Sequence, residues 1–386
     1  PVLNATVFLL PVNQDTLFGK KRASLFTTTD SSGNYSLKYL RNNTYSIYAL
    51  KEEGADRIYN STKEFIGFRN SPILLTKDTA GIDLTIFQEK AKIFRVIDRK
   101  IDKDGKIIFV FNKSLEKPGI QILQPAELNT SKTVEFSRTN DTASVWTNTT
   151  EFDSISVAIQ DNKRNIDTLQ IRRSKRDTYV KTLVLTDNIS SGRLHPGAEV
   201  TVLASAPIKT IDGKKITLLQ DSLPVTGLRV SRDSLSTRIL RFRYPWKDEK
   251  KYILSIDENA LTGVYGGQNK LYTKLFTKDV KENYGFLTAL ITVPDTTKSY
   301  IVQLLDDQDK IINTAILKSN KTVNHPLLPI GRYYIRVVYD ENKNGVWDTG
   351  NVLEKKQPEP IWSHIREIAL KANFDIEEKV TIPPLR

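Results

Sequence analysis

At 386 residues the chain exceeds what one hydrophobic core organises, and short strands would divide it among about three or four modules. It has no Cys and no Met, which excludes thiol catalysis, thiolate metal sites and disulfides. The formal charge of +12 sits mostly in the middle: Lys plus Arg against Asp plus Glu runs 11 to 9 over residues 1–90, 17 to 13 over 91–190, 16 to 10 over 191–285 and 13 to 13 over 286–386.

The chain opens on the strand-like PVLNATVFLL, a start without Met that reads as trimmed or processed, so any export signal or lipid-anchor cysteine is expected upstream. A turn at Asp30–Asn34 precedes the alternating Tyr35–Leu40, which predicts a strand. Asp102-Lys103-Asp104-Gly105 is a second turn, and Lys106–Phe111 a second alternating run. After the strand-like Asp167–Ile171 comes the densest basic patch, Arg172, Arg173, Lys175 and Arg176, which either meets phosphates or acidic headgroups or is a solvated loop. No aromatic stacking platform or groove-reading helix accompanies it, so no nucleic-acid partner is expected. Further on, Asp212-Gly213 and Gly266-Gly267 mark turns, Arg238–Tyr244 reads as a strand, and Glu258–Leu261 is one helical turn at most. Tyr300–Leu305 and Tyr333–Tyr339 complete the strand signals. No run approaches the ~18 apolar residues that span a bilayer. Short strands at this spacing predict an all-β fold of tandem β-sandwiches, in modules at 1–90, 91–188, 189–285 and 286–386.

An internal repeat links the two outer modules. Tyr45–Asn60 aligns without a gap on Tyr333–Asp348, setting Ile47, Ala49 and Leu50 on Ile335, Val337 and Val338, and Tyr59 and Asn60 on Trp347 and Asp348. Within the second copy, DENKNGVWDTG places Asp340, Asn342 and Asn344 at positions 1, 3 and 5 of a calcium-type loop, Gly345 at 6, the Val346 carbonyl at 7 and Asp348 at 9. Position 12 is Asn351 where an EF-hand needs a bidentate Glu, and no flanking helices are evident. Two readings stand: a structural calcium site of roughly 10⁻⁴ to 10⁻³ M, or an Asx-rich turn held by its own hydrogen bonds. The first copy has Glu52, Gly54, Asp56 and Asn60 at the matching places and loses the side chain at position 3.

Signals for catalysis are sparse. His195, His325 and His364 fall in no paired-ligand spacing, and neither a nucleophile elbow nor a phosphate-cradling glycine loop occurs. A pair of distant carboxylates for glycoside hydrolysis leaves no local mark. Trp146, Trp246, Trp347 and Trp362 serve either as sugar-stacking platforms or as core anchors, with Trp246 expected to be partly exposed before Lys247–Lys251.

Several segments resemble known families. Ser31–Leu37, Tyr45–Lys51 and Lys63–Phe68 are similar to the carboxypeptidase-regulatory-like, prealbumin-like sandwich, and Pro196–Val200 through Tyr252–Asp257 and Val264-Tyr265-Gly266 resemble the SbsA-type Ig domain. Asn283-Tyr284-Gly285, Ile301–Asp306, Gly331-Arg332-Tyr333, the acidic loop, Gln357-Pro358-Glu359 and Ala372–Asp375 together resemble the Ig-like surface lipoproteins of Bacteroidota. The resemblance covers most of the chain and is weakest over 91–190. It implies a non-catalytic lipoprotein on the extracellular face of the outer membrane, scaffold or accessory subunit of a SusCD-like transporter, a secretion translocon or the β-barrel assembly machine. Its partners are then integral outer-membrane proteins and other surface lipoproteins, with membrane contact only through the upstream anchor. The alternative is a glycan-binding module of a polysaccharide-utilisation system. That phylum also implies O-glycosylation at Asp-Ser/Thr followed by an apolar residue or Thr, which nominates Thr16, Thr79, Thr142, Ser154, Thr168, Ser222, Ser234 and Thr296.

Overall fold

A computed structural model describes residues 1–52, 54, 56–174 and 176–385; Glu53 and Ala55 of the repeat and Lys175 of the basic patch lie outside the described residues. The described chain is built of strands, with one five-residue α-helix, Glu127–Ser131. It divides into two compact units, residues 92–284 and, together, 1–91 with 285–386.

The unit of residues 92–284 holds two sandwiches. In the first, a sheet ordered Thr133–Phe136, Thr142–Trp146, Ile107–Phe111, Val96–Ile101 faces one of Arg164–Arg172, Ser154–Asp161 and Pro118–Gln124. Four strands against three is the count of a constant-type Ig sandwich. Alternation explains the core between them: Ile107, Phe109 and Phe111 point in from one sheet, Ile155, Val157 and Ile159 from the other. In the second sandwich a four-stranded sheet containing Val200–Ala204 and Ile239–Arg243 covers a five-stranded one containing Lys251–Ile256 and Tyr272–Lys278, over Val202, Phe242, Tyr252, Leu254 and Phe276. Glu258–Ala260 is a turn, with Asn259 at φ 61°.

The other unit contains both copies of the repeat. In the first, β1 (Thr6–Pro11), β2 (Leu25–Thr28), β3 (Asn43–Lys51), β4 (Phe65–Phe68) and β5 (Ile73–Leu75) form one sheet, with β3 central. In the second, β6 (Ser299–Asp306), β7 (Ile311–Leu317), β8 (Gly331–Asp340), β9 (Ile361–Ser363) and β10 (Ile368–Leu370) do the same around β8. The registers correspond. Thr6↔Leu50 has the counterpart Ile301↔Val338, and Leu50↔Ile66 the counterpart Val338↔Ile361. Tyr45↔Ile73 matches Tyr333↔Ile368 in the same way. Numbers shift by 288 for β2 and β3 (Leu50 to Val338) and by 295 for β1, β4 and β5 (Thr6 to Ile301). The difference of seven residues is carried by one insertion in each copy: between β1 and β2 in the first, and between β8 and β9 in the second. Each copy also fixes its central strand with one tyrosine: Tyr45 Oη donates to the Arg41 carbonyl at 2.9 Å, and Tyr333 Oη to that of Pro329 at 2.8 Å.

Every residue from Tyr45 to Leu50 is buried, because the first sheet is covered on both faces. Phe8, Leu10, Tyr48, Leu50, Ile66 and Phe68 form one core; Val7, Leu9, Tyr45, Ile47 and Ala49 form another. Tyr35–Leu40, expected as a strand, pairs with none. Its alternation holds in burial only for Tyr35 and Leu37; Tyr39 is fully exposed, and Leu40 lies against the second core in its place. Tyr39 at φ 57° breaks the extended run, and Tyr35 anchors it by donating to the Ile82 carbonyl at 2.6 Å.

Candidate functional site

The acidic loop leaves β8 through Asp340, whose side chain is turned inward and 1 % of the residue exposed. Asp340 accepts Asn344 N–H on Oδ1 at 2.9 Å, and Gly345 N–H at 3.1 Å and the Ser299 hydroxyl at 2.8 Å on Oδ2. Val346 N–H donates to Asn344 Oδ1 at 2.9 Å, an Asx turn within the larger one. The side-chain amides of Asn342 and Asn344 both donate to Asp348 Oδ2 at 2.6 Å, so three of the five nominated positions converge side chain to side chain, and Asp340 joins them through the Asn344 backbone. Val346 takes part through its backbone and is 55 % exposed. Gly345 suits its position because φ is 78°, although the first copy holds Arg57 there at φ 58°; a Cβ at 345 would stand 2.7 Å from the tip of the exposed Ile316 side chain, which would have to move aside.

Glu359 closes the loop, and the calcium pattern did not nominate it. Buried to 6 % exposure, it accepts Glu341 N–H on Oε1 and Asp348 N–H on Oε2, each at 2.9 Å, while its carbonyl accepts Trp347 Nε1–H at 3.0 Å. A signal for it existed in the repeat. Glu64, at the matching place in the first copy, accepts Asn60 N–H at 3.1 Å, as Glu359 accepts that of Asp348. Other bonds recur as well: Arg57 N–H to Glu52 Oε1 matches Gly345 N–H to Asp340, and Ile58 N–H to Asp56 Oδ1 matches Val346 N–H to Asn344. The loop is thus a repeated turn framework, decorated differently in each copy.

The Asp348 charge is met by a lysine from the first module. Lys90 Nζ lies 2.8 Å from Asp348 Oδ1. Burial works against ionisation of Asp348, but the Lys90 ammonium and the two Asn amides outweigh it and hold the carboxyl below its usual range. In the first copy burial pushes the Glu52 carboxyl up, with Asp56 adding to the effect. The donor chemistry of Asp340, Asn342, Asn344, the Val346 carbonyl and Asp348 suits a hard cation if both Asn amides turn their oxygens inward. Among the described residues no group of three or more His, Asp or Glu is arranged to hold a metal.

The remaining nominated residues are dispersed. Thr16, Thr79, Thr168, Ser222, Ser234 and Thr296 are exposed, whereas Thr142 and Ser154 are half-buried in strands. Arg173 pairs with Glu151 and lies over the Tyr179 ring, which compensates part of the basic patch locally. His325 is buried beside Asn313, and burial lowers its pKa; His364 Nε2 sits 2.9 Å from buried Glu378. Trp146 is in a core, Trp362 packs against one, and Trp246 is half-buried, edge-on to Tyr244, Tyr252 and Phe276. No helix of the described residues is long and apolar enough to cross a membrane.

No protein-family model matches the chain, and no curated protein matches it. Among solved structures it is similar to native alpha-2-macroglobulin from Escherichia coli spanning domains MG0-NIE-MG1, at 12 % identity over 47 % of this chain and 71 % of that one, with a TM-score of 0.22. The surface glycan-binding protein SGBP-B of the Bacteroides ovatus mixed-linkage glucan utilization locus, in complex with a mixed-linkage heptasaccharide, is 10 % identical over 95 % and 90 %, at 0.23. The Bacillus anthracis TIE protein is 12 % identical over 98 % and 68 %, at 0.17. Likeness at these scores carries no argument about function.

Proposed function

We propose that the chain is a non-catalytic scaffold or accessory subunit of a surface protein assembly, joined to its partners through strand edges and loops. The observation that carries this reading is β7. It is the outer strand of its sheet, its sequence IINTAIL holds no charge and no proline, and Ile312 and Ile316 are 40 % and 53 % exposed. An uncharged outer strand turns one side of its backbone away from the sheet and is a template for strand addition, which monomeric proteins usually blunt with Lys, Pro or a bulge; within β7 Thr314 N–H is met by the Asn313 side chain at 2.7 Å. Here Lys310 and Lys318 flank the strand without entering it, and the one irregularity, the extra residue Ile312 between the pairs Leu305↔Ile311 and Leu304↔Asn313, lies near its start and leaves Asn313–Leu317 in regular register.

Placement at the outer membrane, with integral outer-membrane proteins and surface lipoproteins as partners, rests on the sequence resemblance in the last module. Of the two readings of the acidic loop we favour the Asx-rich turn: Glu359 and the side chains of Asp340, Asn342, Asn344 and Asp348 close it without an ion, and calcium at these residues and the Val346 carbonyl is the alternative that melts with calcium and chelator would reveal. The test is a mild-detergent pull-down of the full chain with mass spectrometry. Recovery of an integral outer-membrane protein supports the scaffold; its absence alongside clear binding on a glycan array would favour the glycan-binding alternative.

A further inference from the structure

The two insertions that distinguish the repeat copies meet each other. The one between β1 and β2 includes the 3-10 segment Val12–Leu17, with Asp15 within it and Phe18 just beyond, stacked 4.4 Å from the Tyr48 ring. The other lies between the acidic loop and Glu359, and it crosses onto the first copy's sheet. Val352, 2 % exposed, joins the core of Phe8, Tyr48, Phe68 and Phe87. Its N–H donates to Glu89 Oε1 at 2.6 Å, and Gln357 Nε2 donates to the Phe68 carbonyl at 2.9 Å. Gly350 permits the approach, since a Cβ there would stand 2.5 Å from Phe87 Cζ. Lys355 finishes the seam: Nζ donates to Tyr48 Oη at 2.6 Å and lies 3.6 Å from Asp15 Oδ2, while Tyr48 Oη donates to Asp15 Oδ1 at 2.6 Å.

A core residue supplied by one module to the other is more than a surface contact, because its removal leaves a cavity in a sheet it does not belong to. We infer that these paired insertions are a clamp in cis, by which two copies of one module are locked into a single cooperative body and residues 92–284 become an insert held from both sides in sequence. Tension applied across the outer modules is then borne by the Val352 plug and the Asp15–Tyr48–Lys355 chain and does not run through the insert.

The test starts from the full chain with specific protease sites placed between Lys92 and Ile93 and between Glu282 and Asn283, both exposed. After cleavage in non-denaturing buffer, fragments 1–92 and 283–386 should elute together. Burying a charge at the plug, Val352→Asp, should lower the co-eluting fraction about tenfold or more. Lys355→Asp should also lower it, and the swap Asp15→Lys with Lys355→Asp should restore it, a rescue that a folding defect would not give. Separation of the unmodified fragments, co-elution that survives Val352→Asp, or failure of the swap to restore it would each overturn the clamp.

Discussion

Glu359→Ala removes the one side chain that holds both ends of the acidic loop. Its carboxylate accepts two backbone N–H groups, from Glu341 and Asp348, in a position only 6 % exposed. Each donor left unpaired out of water costs about 1–3 kcal/mol, so the pair together costs about 2–6 kcal/mol. The unit made of residues 1–91 and 285–386 is of the size in which 1 kcal/mol moves Tm by about 2–4 °C, so its melting should fall by about 4–24 °C. Glu359→Gln keeps one acceptor oxygen and should lose roughly half as much. The assay is scanning calorimetry of the full chain with hydrogen exchange at residues 340–348 to localise the loss. Because the side-chain acceptors of Asp340, Asn342, Asn344 and Asp348 are already supplied by the chain's own donors, millimolar calcium and chelator should give wild-type melts within about 1 °C of one another. A Glu359→Ala melt equal to wild type, or a calcium shift of several degrees, would refute the reasoning and make the cation the organiser of the loop.

Tyr45→Phe and Tyr333→Phe should each cost about 1 kcal/mol, and by similar amounts, because each breaks the same bond in its copy; chemical denaturation measures both. The folded Asp348 carboxyl titrates below its unfolded value of about 3.9, so its stabilisation is complete above that pH and is lost as pH falls through the lower folded value. Lys90→Met should flatten that acid limb, seen as a smaller drop in Tm between about pH 5 and 2 than wild type shows. Glycans on the native protein should map to the exposed Thr16, Thr79, Thr168, Ser222, Ser234 or Thr296 and spare the half-buried Thr142 and Ser154; an intact mass equal to the bare polypeptide would contradict this.

Much of the architecture was legible because burial on one sheet face imposes a period of two. Ile107–Phe111 and Ile239–Arg243 fall within predicted runs, and the gapless Tyr45–Tyr333 alignment anticipated a shared register that backbone pairing later reproduced. Tyr35–Leu40 shows the limit: alternation at Tyr35 and Leu37 reports which side chains are buried, not whether the backbone finds a strand to pair with. Glu127–Ser131 was missed because a five-residue helix has too few turns to show a period. The clamp was illegible for another reason. In the stretch after the acidic loop Val352 is buried but its neighbour Leu353 is 71 % exposed, so hydropathy does not separate plug from surface. Glu359 lies eleven positions beyond Asp348, outside any fixed loop spacing, and only its counterpart Glu64 marks it.

Recruitment of a membrane-assembly partner by the β7 edge is tested by a photo-crosslinking residue at Ile316. In cells making the full chain, irradiation should join Ile316 on β7 to an integral outer-membrane protein identified by mass spectrometry, and Ile312→Lys should abolish the adduct. A crosslinker at exposed Leu235, in the other unit and outside any strand, serves as the control. No adduct at Ile316, or equal adducts at both positions, would contradict the account.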